Sequence, residues 1–286
     1  MDRRQALTLL AAAAALDPRA EARARHGDAL KGSGRLKQSV SRWPYSSIPL
    51  PEFCRACRDI GLVGIDLLGP DDWPVVTDHG LVVTMGYPTA RGDFIATGFN
   101  DPANHAMLLR ELEETIPLAA AARVPNVIAM FGNRRGRSDA EGIEHCVAGL
   151  RRIAPLAEER GVTVCVELLN SRVDHADYQG DRTAFGVAVI QGVASPRVKL
   201  LYDVYHMQIM EGDVIRTIRR NLAHIAHFHT GGVPGRHEID DSQELNYRAV
   251  AQAIADAGFQ GYVAHEFVPT REPLASLRAA VATCDV

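Results

Sequence analysis

The sequence predicts a single parallel (β/α)8 barrel, and three observations carry that prediction. Short runs rich in Val, Ile and Leu alternate eight times with amphipathic helical stretches, without a break in composition. Runs such as Val-Thr-Val-Cys-Val (162–166) are apolar throughout, the pattern of a strand covered on both faces in a parallel sheet. Four runs lead into an acid or an imidazole at the C-terminal end: Glu167, Asp203, His229 and Glu266. In a parallel barrel those ends converge on one face, where active sites form.

In chain order, the first strand is expected over 36–41, followed by an aromatic loop with Trp43 and Tyr45. Pro49 and Pro51 open a helix over 52–60, which Gly61 ends. A second strand at 63–68, a short helix or turn at 70–76 and a third strand at 81–85 come next. The connection 86–100 is long, carries Gly86, Gly92 and Gly98, and is a candidate lid. A helix over 102–122 has an apolar stripe through Leu108, Leu109, Leu112, Ile116 and Leu118, and leads to a strand at 126–131. Ser138-Asp139-Ala140-Glu141 has the form of a capping box for a helix reaching about Arg160, and Gly161 leads into the strand at 162–170. After a polar loop, helices near 183–192, 213–221, 246–257 and 273–284 alternate with strands at 198–203, 223–229 and 262–266. Residues 36–286 are read as one barrel domain.

Strand alternation orders the interior. With Glu167 facing the mouth, Cys165 points inward one layer lower, and Val164 and Val166 face the helices. The same rule sets Leu201 beneath Asp203, His227 beneath His229 and Ala264 beneath Glu266, and turns His265 outward as a packing residue. A carboxylate at such a position must be neutralised or bind a cation. Three carboxylates and an imidazole suit a divalent ion, and the oxygen-rich set favours Mn or Mg over Co or Zn. A divalent ion stabilises an enediolate, and carboxylates on either side of it can take and return a proton beside a carbonyl.

Five segments then show a resemblance. Val-Glu-Leu-Leu-Asn (166–170), Tyr-Asp-Val-Tyr-His-Met-Gln (202–208), His-Phe-His-Thr (227–230), Pro-Gly-Arg-His-Glu (234–238) and Gly-Tyr-Val-Ala-His-Glu-Phe (261–267) resemble hydroxypyruvate isomerases. These sit within the wider xylose-isomerase-like TIM barrels, which include ketose 3-epimerases. The resemblance runs from about residue 36 to the C-terminus. It implies a metal held by Glu167, Asp203, His229 and Glu266, with Glu167 and Glu266 as the catalytic acid–base pair and His206 in contact with substrate. One departure is His229, where hydroxypyruvate isomerases often have Gln and the epimerases have His; it leaves the substrate open. Arg236 is expected to contact an anionic substrate or to hold Glu238. His227 and Glu238 are expected just behind the ligands, orienting them without touching the metal, and His237 could share that role. Arg134, Arg135, Arg137 and Arg172 read as solvated loop residues, and Asp174, His175 and Tyr178 as rim residues without a role.

A formal charge of −4 argues against a nucleic-acid partner. Five cysteines make no disulfide framework, and the Cys54/Cys57 pair reads as core packing. Residues 1–35 stand apart as a probable export signal and linker. Arg3-Arg4 precede an apolar run and Ala11–Ala15, too short to span a bilayer, which resembles a twin-arginine signal with Asp2 and Ala6 off the usual pattern. The barrel is therefore expected to work in the periplasm. A small hydroxy-keto compound is the expected substrate, and a homo-oligomer is compatible with the sequence. The leading reading is an isomerase. A ketose 3-epimerase or a keto-inositol-type dehydratase on the same metal site, and an exported sugar-binding barrel, are the alternatives; an AP-endonuclease-like role fits the charge poorly.

Overall fold

Eight parallel strands close in sequence order, with β8 paired back to β1, in a computed structural model that describes residues 34–88 and 93–286. They are β1 Lys37–Ser41, β2 Gly64–Leu68, β3 Val82–Gly86, β4 Asn126–Met130, β5 Thr163–Leu168, β6 Val198–Asp203, β7 Ile225–Thr230 and β8 Tyr262–His265. All eight expected strands are present, with ends moved by a residue or two. The export segment lies outside the described residues, as do residues 89–92 of the candidate lid. Among the described residues no helix is long and apolar enough to cross a membrane.

Local chemistry accounts for the helix ends. Gly61 (φ 99°) and Gly161 (φ 69°) take the left-handed conformation that closes helices Leu50–Ile60 and Asp139–Arg160. Ser138 and Glu141 form the expected capping box at the start of the latter. One helix was not legible: Val204–Met210 starts directly at the end of β6. Asp203 caps it, its Oδ1 accepting from the backbone N–H of Tyr205 at 2.8 Å and of His206 at 3.4 Å. No element was expected between the strand ending at Asp203 and the helix near 213–221.

The register sets the interior. Asp203, His229, Ala264, Ser39 and Gly64 stand at one level, and Leu201, His227 and Tyr262 one step below. Small residues at Ser39, Gly64 and Ala264 leave the interior to imidazoles and carboxylates. β2 is irregular at Asp66–Leu68, where Leu67 takes φ 58°. Such a left-handed, non-glycine residue at a bulge re-aims its neighbours, and here Asp66 turns into the barrel. His265 is buried on the outer face. It is more than packing, since its Nδ1 pairs with Thr230 Oγ1 at 3.0 Å and its Nε2 with Gln38 Oε1 at 2.9 Å. Cys54 and Cys57 are buried free thiols.

The far end of the long loop after β3 is anchored. Phe99 and Asn100 donate their N–H groups to the carbonyls of Met130 and Phe131 at 3.1 and 2.9 Å. A Cβ on Gly98 would lie 2.1 Å from the carbonyl carbon of Phe131, which is backbone and has nowhere to go. Gly98→Ala is therefore expected to cost ~2 kcal/mol or more, against a near-neutral Gly69→Ala, whose Cβ meets nothing within 4 Å. Thermal unfolding of the two variants side by side checks this.

Candidate active site

Glu167 on β5, Asp203 at the end of β6, His229 on β7 and Glu266 just past β8 bring one donor atom each within 4.8 Å of one another, all buried. His229 is the hub. Its Nδ1 lies 2.5 Å from Glu266 Oε2 and 3.2 Å from Glu167 Oε1. Its Nε2 donates on the opposite side to Asp66 Oδ2 at 2.9 Å. That outer bond leaves Nδ1 as the nitrogen aimed at the cluster, the arrangement by which a carboxylate orients a ligating imidazole.

Asp66 was missed in the sequence, where it sits inside the apolar run Gly-Ile-Asp-Leu-Leu. A carboxylate within a buried strand was the available signal. It reaches across the barrel from β2 to β7. Besides His229 it accepts from His227 Nε2 at 2.8 Å and from the Thr84 hydroxyl. Burial opposes its ionisation, but the two imidazoles outweigh it and hold the carboxyl well below the usual range. His227 faces inward below His229, behind the cluster.

Arg236 supplies the nearest fixed positive charge. One of its terminal nitrogens lies 2.8 Å from Glu266 Oε2 and 3.3 Å from Asp203 Oδ2. The guanidinium is stacked between Trp43 and Tyr205, 5.5 Å from each ring centre. Its backbone is left-handed (φ 58°), a strained conformation for a non-glycine residue and one that marks functional loops. Trp43 adds a further contact, its indole N–H donating to Glu266 Oε1 at 2.6 Å. The sequence placed Trp43 only in an aromatic loop.

These environments drive the carboxyls apart. Burial pushes Glu167 above the usual range against the pull of His229, and pushes Asp203 up to about 7 against the pull of Arg236. Glu266 is held down to about 2, because Arg236, His229 and the Trp43 N–H outweigh its burial. His229 is held well above the imidazole range: burial opposes, but Glu266 and its bonds to Asp66 and Glu167 prevail.

His206 stands beside Asp203, on helix Val204–Met210. Its Nδ1 accepts from the backbone N–H of Asn170 at 3.1 Å and from the Asn170 amide at 2.6 Å. A backbone N–H can only donate, so in the neutral ring the proton is on Nε2. That nitrogen is buried without a hydrogen-bond partner, 3.5 Å from Asp203 Oδ2. Tyr178 is no rim residue: it is fully enclosed, accepting from Phe131 N–H and donating to the Glu167 carbonyl, both at 2.9 Å. Arg134 and Arg137 pair with Asp139 and Asp101, and Arg172 donates to the Ile209 carbonyl.

Glu238 lies elsewhere. It accepts from Thr270 N–H and Oγ1, both at 2.9 Å, and from Ser276 Oγ at 2.8 Å, and no residue of the cluster is among its partners. It fastens the loop after β8. The expectation of Glu238 behind the ligands is corrected accordingly: the turn at Arg236 points the two side chains apart, and Arg236 turns to the cluster instead of to Glu238.

The cluster opens into a cavity of about 250 Å³. Arg236, Glu167, Glu266 and His175 supply its charged and polar lining, Trp43 and Tyr87 add aromatic groups, and apolar residues such as Leu67, Phe94, Ile128 and Met130 make up most of the rest. The donor set fits a divalent ion. Three buried carboxylates outnumber the cations facing them, two of them are raised towards neutrality by burial, and the imidazole presents an oriented nitrogen.

Fold and site together define a TIM-barrel enzyme with a buried carboxylate–imidazole centre at the C-terminal ends of its strands. The chain belongs to the xylose isomerase-like TIM barrels, whose family model matches residues 32–283. A zebrafish (Danio rerio) protein provisionally named a hydroxypyruvate isomerase is 30% identical over 237 residues, 83% of this chain and 81% of that one. A 2-oxo-tetronate isomerase of Cupriavidus necator is 38% identical over 116 residues, 41% of this chain and 44% of its own length. A solved structure from Brucella melitensis, described as an AP endonuclease of family 2, superposes with a TM-score of 0.75 at 25% identity, covering 85% of this chain and 97% of its own. The isomerase names agree with the enzyme class expected from the sequence.

Two outcomes are expected. Asp66→Asn should leave the barrel folded but lower divalent-metal affinity by about 10–100-fold, read by calorimetric titration with Mn²⁺. Glu238, held down to about 2 by Ser276 and Thr270 against its burial, stabilises the fold above its ordinary value of 4.5 and loses that contribution as pH falls towards 2. Glu238→Gln should therefore destabilise the protein by ~2 kcal/mol at pH 7 and by progressively less below pH 4.5, in denaturant melts.

Proposed function

We propose that the protein is a divalent-metal-dependent isomerase of a small hydroxy-keto acid, of the hydroxypyruvate or 2-oxo-tetronate kind, acting by proton transfer through an enediolate. The observation that carries this is the convergence of Glu167, Asp203, His229 and Glu266 at the floor of a small cavity with one guanidinium. A bound Mn²⁺ or Mg²⁺ would supply Lewis-acid stabilisation of the enediolate. Everything else is the work of the chain. Glu167 and Glu266 stand where a carboxylate can exchange a proton with substrate carbon, a step worth about 10²–10⁴-fold. His206 offers its free Nε2–H to a substrate oxygen, and Arg236 faces anionic oxygens. Among the described residues most of the rest of the cavity lining is apolar, which suits a small substrate better than a hexose.

The reading predicts solvent deuterium in recovered hydroxypyruvate or its isomer, with no change of mass beyond exchange. Loss of 18 Da would mean dehydration, and inversion at a carbon would mean 3-epimerisation. EDTA treatment should abolish turnover and Mn²⁺ should restore it. Asp203→Asn and His229→Ala should recover partly at high metal, whereas Glu167→Gln should stay about 10²–10⁴-fold slow however much metal is added. Full recovery of Glu167→Gln would remove it from proton transfer. Nucleic acid is a poor substrate for a chain of net charge −4. Export belongs to the same proposal and rests on the Arg3-Arg4 segment: Arg3→Lys with Arg4→Lys should trap full-length protein in the cytoplasm, and unchanged fractionation would reject it.

A further inference from the structure

Asn170 builds the loop that follows β5. Its Oδ1 accepts from the backbone N–H groups of Val173 and Asp174 at 2.9 and 3.0 Å, and its carbonyl from the N–H of His175 at 3.2 Å. Its amide donates to Asp174 Oδ2 at 2.6 Å, and the same oxygen accepts from the Tyr205 hydroxyl at 2.7 Å. The far end of the loop is tied to the loop after β4. There Asp177 Oδ2 accepts from the N–H of Arg135 at 2.8 Å, and the Asp177 carbonyl from that of Arg134 at 2.6 Å. None of these bonds uses a side chain of the carboxylate–imidazole cluster, so the loop is held whatever occupies the cluster.

The side chain this frame delivers to the cavity is His175. Its half-buried ring packs on that of His206, 5.3 Å between centres, and among the described residues it makes no side-chain hydrogen bond. Burial and the charge of Arg236 hold it below the ordinary imidazole range, and a bound cation would act in the same direction. The ring is therefore neutral near pH 7, with one donor and one acceptor. Its complement is a hydroxyl, which donates and accepts, rather than a carboxylate, which only accepts.

On the isomerase reading, a three-carbon substrate has no such group left over. Its carboxylate faces Arg236, and the oxygens of its two reacting carbons face the ion and His206. We propose that His175 is a specificity-determining residue that hydrogen-bonds a hydroxyl on the carbon beyond the reacting pair. The substrate is then a four-carbon 2-oxo-3,4-dihydroxy acid in preference to hydroxypyruvate. The inference rests on the isomerase reading above. A ring placed for a hydroxyl is left unpaired by an analogue that lacks it, and that loss is what discriminates. Because the frame already fixes the loop, little ordering on binding offsets the bond.

The test uses full-length, Mn²⁺-loaded protein and follows loss of the C3 proton in D2O by NMR. The probes are 2-oxo-tetronate and 3-hydroxy-2-oxobutanoate, the same acid without its C4 hydroxyl. Wild type is expected to favour 2-oxo-tetronate by about tenfold or more in kcat/KM, and His175→Ala to bring the two acids within about twofold of each other. His175→Gln, which keeps a donor and an acceptor, should retain part of the preference. Circular dichroism and bound manganese are measured on the same samples, with His175→Leu in place of His175→Ala should that variant fail to fold or to hold metal. Wild type without a preference, or a variant that slows both acids alike and keeps their ratio, would overturn the assignment. Wild type inert towards both acids and towards hydroxypyruvate would instead overturn the isomerase reading itself.

Discussion

Four buried carboxylates surround His229, Glu167, Asp203 and Glu266 on its Nδ1 side and Asp66 on its Nε2 side, and the need to compensate their charge organises this end of the barrel. Isolated buried carboxylates would revert to their neutral acids. Each is stabilised by a different device: two imidazoles and a hydroxyl for Asp66, a helix N-terminus for Asp203, and a guanidinium with an indole N–H for Glu266. Glu167 has the least support, one bond to His229. Burial accordingly raises the Glu167 carboxyl above the usual range, whereas Glu266 is held low.

That requirement explains features the fold alone would not need. The bulge in β2 and the left-handed backbone at Leu67 put Asp66 under His229. The left-handed turn at Arg236 brings its guanidinium over Asp203 and Glu266. Strained backbone of this kind persists only where the surroundings over-determine it. Here the surroundings are the aromatic faces of Trp43 and Tyr205 and the carboxylates beneath.

The barrel was legible because parallel strands are apolar on both faces and their caps and glycines stand out, so all eight strands could be placed from pattern. The four converging donors were legible for the same reason, since a charge ending an apolar run is conspicuous. Asp66 carries the same signal in weaker form: one carboxylate inside Gly-Ile-Asp-Leu-Leu, without the strand-end position that made the others comparable. Helix Val204–Met210 was hidden because its cap, Asp203, had already been read as the end of a strand, and one residue both ends the strand and caps the helix. Glu238 and Arg236 are two residues apart, and only backbone geometry decides that they face different ways. Trp43 is more than two hundred residues from Glu266, and no local pattern could pair them.

The uneven support of the two glutamates bears on the chemistry a shared scaffold can host. Trp43 occupies one oxygen of Glu266, whereas Glu167 keeps one oxygen without a partner among the described residues, so the two present different acceptors to anything bound beside them. The cavity is equally uneven. Its lining sets the apolar Leu67, Phe94, Ile95, Ile128, Met130 and Leu169 beside Trp43, Tyr87, His175, Arg236 and the two glutamates. On the proposed isomerase reading, a short acid held at its carboxylate end by Arg236 is the ligand that such a lining would suit.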